Sequence, residues 1–132
     1  MIMKKGILIV LLLALGCQTK SAIDLAPTKE EDKLIILPNS TCASSLTLDS
    51  QVSQREGRVG YREDLNLYYI NVFLGGIDTS LTGLVCNMPD ELKTVNQKVI
   101  FDGDYYTDVQ LPLPRLGGET IRYLVLKSIR KN

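Results

Sequence analysis

The sequence predicts an all-β domain that carries one short helix late in the chain. Three observations lead to this prediction. From Cys42 onward many apolar residues alternate with polar ones, which is the period of a strand buried on one face. Valine, isoleucine and tyrosine favour strands and are frequent in these segments, while glycine and aspartate lie between the segments as turn formers. A single helix signal interrupts the strands at 87–93.

The first residues form a separate unit with the pattern of an export signal. Lys4 and Lys5 give a basic start, an unbroken aliphatic run covers Ile7–Leu15, and Gly16 is the small residue at its end. Export signals share this order and have an apolar stretch of about 7–15 residues. A transmembrane helix needs about 20 apolar residues, so this stretch is too short to span a bilayer. We therefore expect a signal peptide at 1–16.

Cys17 follows the signal directly, and its context resembles the lipobox of bacterial lipoproteins. Gly16 and Cys17 match that motif, whereas Ala14 and Leu15 depart from its preferred leucine and small residue. The resemblance implies that Cys17 receives a diacylglyceryl group and anchors the protein in the membrane; the alternative is an unmodified cysteine in a signal that is simply removed. Several acyl chains give stable anchoring, because each buried methylene adds about 0.8 kcal/mol. The residue after Cys17 is Gln18 and not an aspartate. By the same resemblance, this implies that the protein is placed in the outer membrane of a two-membrane bacterium.

The rest of the chain, roughly 115 residues, is long enough for one domain with one hydrophobic core. We expect a polar tether at 17–33, because the charged run at 28–33 shows little apolar periodicity. A short helix over 29–37, ended by Pro38, is the alternative. The folded domain is then expected at 34–132.

Charge and composition exclude several classes of function. The chain has 15 basic and 15 acidic residues, and because Lys4 and Lys5 leave with the signal, 13 basic residues remain against 15 acidic ones. Nucleic-acid-binding domains normally show a basic excess, so we expect no nucleic-acid partner. The sequence has no histidine, which excludes Ser–His and Cys–His nucleophile pairs and makes a zinc site unusual. Gly75-Gly76 and Gly117-Gly118 lack the lysine of a phosphate loop. We expect no catalytic residues, no metal and no cofactor.

Cys42 and Cys86 are the cysteines that remain beside Cys17. In an exported domain this pair predicts a disulfide, which would stabilise the fold by about 3–4 kcal/mol in the chain-entropy model. The alternative is two buried thiols. Because the sequence has no Cys-X-X-Cys spacing, we do not expect redox chemistry.

Five strands and one helix are predicted along the domain, after a short apolar segment at 34–37. The predicted strands are 45–52, 65–74, 81–85, 99–101 and 120–129. The helix at 87–93 has Asn87 as its N-cap candidate, Pro89 in its first turn and two acids near its positive end. The last strand is apolar on both faces, which indicates burial on both sides, as in a small closed barrel.

The order of three strands, a helix and two strands is typical of the OB-fold, a partly open Greek-key barrel. We therefore predict a small five-stranded OB-like Greek-key barrel with one short helix between strands 3 and 4. A β-sandwich is the alternative, and it needs about seven strands.

Two neighbouring segments carry a further resemblance. Asn87–Lys93, followed after a short gap by Val99–Gly103, resembles the "NLPEEFK…VxFSG" stretch of small Bacteroidota lipoproteins, which include the NigD-like lipoproteins. The match covers about 20 residues plus the lipobox and departs at Asp102, where the family usually has serine. The resemblance implies an OB-like barrel in the cell envelope. The family's activity is largely undefined, so no catalytic residue carries over.

Two predicted loops combine arginine with tyrosine and form the candidate ligand site. OB-folds bind ligands at the first hairpin loop and at the loop between strands four and five. Here these loops contain Arg55, Arg58, Tyr61 and Arg62 in the first and Tyr105, Tyr106 and Arg115 in the second. Arginine recognises carboxylate or phosphate and tyrosine gives rigid contact area, so the set suits a glycan or an envelope protein. The alternative is that these side chains only keep the loops soluble.

Asp102, Asp104 and Asp108 form an alternative site after the fourth strand. Acids beside Gly103 are typical turn formers, but two of them could act as acid and base on a glycan or bind calcium. The sequence thus favours a lipid-anchored, non-enzymatic binding or assembly module of the cell envelope. A carboxylate-dependent carbohydrate-processing enzyme and a structural subunit held by an exposed strand edge are the alternatives.

Overall fold

The computed structural model describes residues 33–38 and 46–132. The predicted signal peptide, the predicted lipidation site Cys17, the predicted tether up to residue 32 and Cys42 lie outside the described residues. Within the described ranges, no helix has the length and apolar character needed to cross a membrane.

Six strands and one 3-10 helix make up the described chain. The strands are β1 Ile35–Ile36, β2 Thr47–Arg62, β3 Leu67–Phe73, β4 Ser80–Val85, β5 Lys98–Thr107 and β6 Glu119–Lys131, and the 3-10 helix is Asp90–Leu92. They form one sheet in the order β1-β6-β4-β3-β2-β5, and β5 also pairs with β6. The five long strands therefore close a ring. β1 pairs with residues 128–129 of β6, beyond the part of β6 that pairs with β4. The predicted all-β OB-like barrel is confirmed.

The ring contains one parallel pair and a crossover. β4 and β6 run parallel, with Ser80 opposite Glu119, and the other pairs are antiparallel. β5 lies between β2 and β6, so the chain must cross one end of the barrel after β4. The 3-10 helix lies in this crossover, and its Leu92 packs into the core together with Met88.

The core fills the inside of the ring with side chains from all five long strands. Its members include Val59, Ile70, Val72, Val85, Val99, Phe101, Tyr105, Leu124, Leu126 and Ile129. The rings of Phe101 and Tyr105 meet edge-on, with their centroids 6.5 Å apart. β6 is buried on both faces, as predicted, since Ile121 and Val125 are buried outside this cluster.

β2 is much longer than the predicted strand at 45–52, because two bulges bend it instead of ending it. Its register against β5 shifts between Leu48 and Ser50 and again between Val52 and Arg55. At the second shift Gln54 has a positive φ of 50°. Bulges bend a strand and increase its twist, so β2 pairs with β5 along 47–58 and with β3 along 58–62.

Asp102 and Gly103 belong to the middle of β5, so their interpretation as a turn was wrong. The Asp102 carboxylate accepts hydrogen bonds from the Gln54 backbone N–H at 2.6 Å, the Ser53 hydroxyl at 3.2 Å and the Ser128 hydroxyl at 3.2 Å. It also accepts one from the Gln54 side-chain amide at 3.1 Å. This carboxylate therefore ties the β2 bulge to β5 and β6.

The helix is also shorter than the predicted 87–93, and Asn87 does not cap it. Pro89 occupies the N-cap of the 3-10 turn. The Asn87 side chain instead bonds the backbone of Leu126 on both sides, donating to its carbonyl at 2.9 Å and accepting from its N–H at 3.0 Å. The Asn87 side chain thus makes the same pair of hydrogen bonds to Leu126 of β6 that the backbone of a neighbouring strand would make.

Candidate functional site

The predicted ligand-binding side chains are spread over the barrel instead of lying in two loops. β2 continues through Arg55, Arg58, Tyr61 and Arg62, and the actual turn to β3 lies at 63–66. Tyr105 and Tyr106 belong to β5, and only Arg115 lies in the β5–β6 loop at 108–118. The placement of the first six in loops was therefore wrong, because bulged and glycine-containing strands do not show a clear alternating pattern.

Tyr105 points into the core and does not face a ligand. Its side chain is fully buried, and its hydroxyl has no hydrogen-bond partner among the described residues. Burial raises the pKa of Tyr105 to about 12. Tyr106, the next residue, is half-buried and lies between Leu48 of β2 and Tyr123 of β6 in the sheet register.

Tyr61 and Arg62 hold the β2–β3 turn. The Tyr61 hydroxyl donates to the Asn66 side chain, and the Tyr61 ring lies 4.8 Å from the Tyr68 ring, centroid to centroid. Arg62 is only 4% exposed, and its Nε donates to the Asp64 carboxylate at 3.0 Å. That hydrogen bond raises the pKa of Arg62 and lowers that of Asp64. Both side chains therefore have structural partners within the turn.

A groove of about 960 Å³ lies on the outside of β2, β3 and β4. We call it the outer groove. Ile70 and Val72 of β3 point inward, so by alternation Tyr69, Asn71 and Phe73 point outward and line the groove. The start of β5 borders it on one side and the β5–β6 loop on the other. This is the face on which OB-folds bind oligosaccharides and oligonucleotides.

Gly60 of β2 makes room for the floor of the outer groove. A Cβ on Gly60 would lie less than 3.0 Å from the ring of Tyr69, so the glycine lets the ring lie close against β2. Gly57 faces the core instead, because a Cβ there would meet Ile70 and Phe101. Beside the Tyr69 ring the Asn71 side-chain amide donates to the Thr82 hydroxyl at 2.9 Å, which fixes the polar part of the floor.

The β5–β6 loop carries Arg115 over this floor. The Glu119 carboxylate accepts hydrogen bonds from the backbone N–H groups of Arg115 at 3.1 Å and Leu116 at 3.3 Å, which fixes the end of the loop. The Arg115 guanidinium then lies 5.8 Å from the centroid of the Tyr69 ring, within the range of a cation–π contact.

The charges around the outer groove favour an anionic ligand. Arg58, Lys98 and Arg115 supply three cations to its lining, and Glu56 and Glu119 supply two carboxylates. Glu119 already accepts two backbone hydrogen bonds, so the cations have more unused bonding capacity than the acids. Of the predicted set, the structure brings Arg58 and Arg115 together here.

The acids of the alternative site do not form a catalytic pair. Asp102 accepts the hydrogen bonds of the β2 bulge, and those bonds, led by the Gln54 backbone N–H, lower its pKa, the opposite of what a general acid needs. Asp104 pairs with Lys127 Nζ at 3.1 Å and accepts from Gln51 at 3.1 Å. Asp108 lies beyond β5 in the loop. Within the described ranges, no cluster of three acidic, cysteine or histidine residues is arranged to hold a metal ion.

One edge of β2 has no partner among the described strands, as the structural-subunit alternative requires. Along 47–57, β2 pairs with β5 alone. The two bulges and the charged and polar side chains of this stretch work against the pairing of another chain. Cys86 follows β4, and because Cys42 lies outside the described residues, their disulfide stays a prediction.

Fold and site together define the class of protein: an OB-like β-barrel with a candidate ligand groove on its outer face. No family model matches the chain, and no curated protein matches it. The likeness to NigD-like lipoproteins therefore stays an expectation from the sequence.

Sequence reasoning missed most of the groove. Tyr69 and Asn71 come from β3 and Lys98 from β5, and they line one groove only through the register of the sheet. The one available signal was Gly60, because a glycine inside a strand indicates close approach by a neighbouring side chain.

Proposed function

We propose that the protein is a non-enzymatic binding module, lipid-anchored in the cell envelope, whose outer groove holds an acidic glycan. The observation that carries the binding part is the juxtaposition of Arg58, Lys98 and Arg115 with half-buried Tyr69 and exposed Phe73. Arginine forks match the planar carboxylates of uronic acids, and aromatic faces suit the apolar faces of sugar rings. The groove is also large enough for several sugar units.

The location part of the proposal rests on the sequence before residue 18. The basic start, the short aliphatic run and Gly16-Cys17 support export and acylation of Cys17. Placement in the outer membrane is supported by the residue after the cysteine. A disulfide between Cys42 and Cys86 fits the same oxidising compartment.

Binding is tested by titrating the purified full-length protein with an oligogalacturonate, with a neutral maltooligosaccharide of equal length as the control ligand. We expect binding of the acidic oligomer only, weakening as salt is added. Arg58→Ala and Arg115→Ala should each weaken binding about tenfold, since a hydrogen bond to a charged group contributes about 1.5–3 kcal/mol.

Arg55→Ala is the matched control, because Arg55 is exposed on the same strand but lies outside the groove lining. It removes the same charge and should leave the affinity unchanged. If all three variants bind alike, or if the acidic oligomer does not bind, the groove is not the site of an acidic glycan.

The anchor is tested separately with Cys17→Ala in cells. We expect this variant to leave the membrane fraction and to lose the mass of the acyl chains. Retention of a variant that carries no lipid would contradict the proposed anchor.

A further inference from the structure

One end of the barrel exposes aliphatic side chains on two neighbouring loops. Ile77 in the β3–β4 turn is 91% exposed, and Val109 and Leu113 in the β5–β6 loop are 99% and 83% exposed. Leu74 is also exposed. The two loops touch, since the Ser80 N–H donates to the Gly118 carbonyl at 3.2 Å. We call Leu74, Ile77, Val109 and Leu113 the apolar tip.

The composition of the apolar tip differs from that of a protein-docking surface. The centres of protein interfaces are enriched in tyrosine, tryptophan and arginine, whereas the tip is purely aliphatic. Its residues lie in two loops outside the strands. Aliphatic side chains on loops suit a fluid apolar medium, which needs no complementary shape.

Some backbone polar groups of these loops are satisfied internally, which lowers the cost of placing the loops at a lipid surface. In the β3–β4 turn the Leu74 N–H donates to the Thr79 carbonyl at 3.1 Å, and the Thr79 hydroxyl donates to the Gly75 carbonyl. In the β5–β6 loop the Leu111 N–H donates to the Asp108 carbonyl at 3.4 Å. The end of that loop is bound to the Glu119 carboxylate.

The predicted tether is long enough to let the apolar tip reach the membrane that holds Cys17. β1 pairs with the C-terminal half of β6, so the tether enters at the barrel end opposite the tip. β6 has 13 residues, which at about 3.3 Å each and a usual tilt corresponds to a height of roughly 33 Å. The residues from Cys17 to Lys33 can extend to about 53 Å.

We propose that the apolar tip inserts into the surface of a lipid bilayer. The barrel then lies against the membrane with Ile77 and Leu113 in the acyl boundary. The charged groups at the rim, Asp78, Asp108 and Arg115, are of mixed sign, so insertion does not require anionic lipid.

The chain has no tryptophan, so a single introduced tryptophan reports its own surroundings. Ile77→Trp and Leu113→Trp are made in the full-length protein and reconstituted in phosphatidylcholine vesicles with or without brominated phosphatidylcholine. We expect a blue-shifted emission that falls by about half with brominated lipid, as for a side chain roughly 5–10 Å deep. Glu91→Trp, exposed in the crossover at the opposite end of the barrel and outside the outer groove, is the matched control and should show neither effect.

The readout depends on the position of the tryptophan and not on how the N-terminus is held, so it separates tip insertion from the proposed acylation. Equal quenching at 77, 91 and 113, or none at 77 and 113, would overturn the proposal. A blue shift at 77 or 113 that rises with protein concentration without vesicles would assign the tip to self-association and would overturn it as well.

Discussion

Replacing Asp102 with alanine should loosen the bend of β2, because this carboxylate holds the second bulge in place. It accepts four hydrogen bonds, from Ser53, Ser128 and twice from Gln54. The backbone N–H of Gln54 is the most important donor, since at 2.6 Å it is the shortest and Gln54 has a positive φ. Without the carboxylate, only the flanking pairs Val52–Gly103 and Arg55–Phe101 hold the bulge against β5.

The magnitude follows from the number and setting of these bonds. Hydrogen bonds to charged groups contribute about 1.5–3 kcal/mol each when well formed, but the donors here can turn to water once the carboxylate is gone. We therefore expect Asp102→Ala to lower the free energy of unfolding by about 2 kcal/mol. For a domain of this size that corresponds to a Tm lower by roughly 8–16 °C. Asp102→Asn keeps one acceptor oxygen and should cost about half as much.

Urea denaturation of the full-length protein measures the loss, with Asp108→Asn as the control. Asp108 accepts only a 3.4 Å contact from the Gln110 N–H, so its replacement should change stability by less than about 0.5 kcal/mol. Hydrogen exchange adds a local test, since the Gln54 amide should lose protection in Asp102→Ala alone. Equal midpoints for the two variants, or an unchanged Gln54 amide, would refute the role of Asp102.

The same bonds predict a pH dependence. They lower the pKa of Asp102 in the folded protein, so folding favours its charged form. The resulting stability is present above the unfolded pKa of about 3.9 and is lost as the pH falls through the lower folded value. Stability curves of the wild type and Asp102→Asn should therefore converge below about pH 4 and separate above it.

Two further substitutions test the outer groove and the core. Gly60→Ala should destabilise the fold by about 1–3 kcal/mol and displace the Tyr69 ring, because the new Cβ overlaps the ring. Gly117→Ala is the control in the same denaturation assay, because a Cβ at Gly117 meets open space. Tyr105→Phe should leave the Tm unchanged or raise it, because a buried hydroxyl without a partner in the described structure is removed. A loss above about 1 kcal/mol would show that this hydroxyl is hydrogen-bonded.

The strand order of the barrel could be predicted from the sequence, but the strand lengths could not. Turn signals such as Gly75-Gly76 and the short helix signal mark real breaks in the chain. Gln54 and Asp102-Gly103 look like further breaks, because polar residues and glycine are typical of turns. In the structure Gln54 lies in a bulge of β2, and Asp102 of β5 binds that bulge. Only the pairing of β2 with β5 distinguishes a bulge from a chain break.

The candidate site could be predicted only in part, for a related reason. Arg58 and Arg115 were identified because arginine stands out in either a strand or a loop. Tyr105 was wrongly assigned to a ligand site. Val99, Phe101, Gly103 and Tyr105 are alternate residues on the inner face of β5, but Gly103 has no side chain and hides the alternation in the sequence. Tyr69 and Lys98 meet across strands, which a linear pattern does not show.

The long-range closure of the ring has a consequence for how the chain folds. β2, β3 and β4 are consecutive in the chain and can pair with each other early. The pairing of β4 with β6, in which Ser80 lies opposite Glu119, joins distant parts of the chain and can form only later. The pairing of β2 with β5, in which Thr47 lies opposite Thr107, is equally distant. Such distant contacts slow folding to milliseconds or longer. A chain synthesised from its amino end therefore cannot close the barrel until β6 has been made. If the protein is exported as proposed, this delay keeps the chain unfolded for translocation.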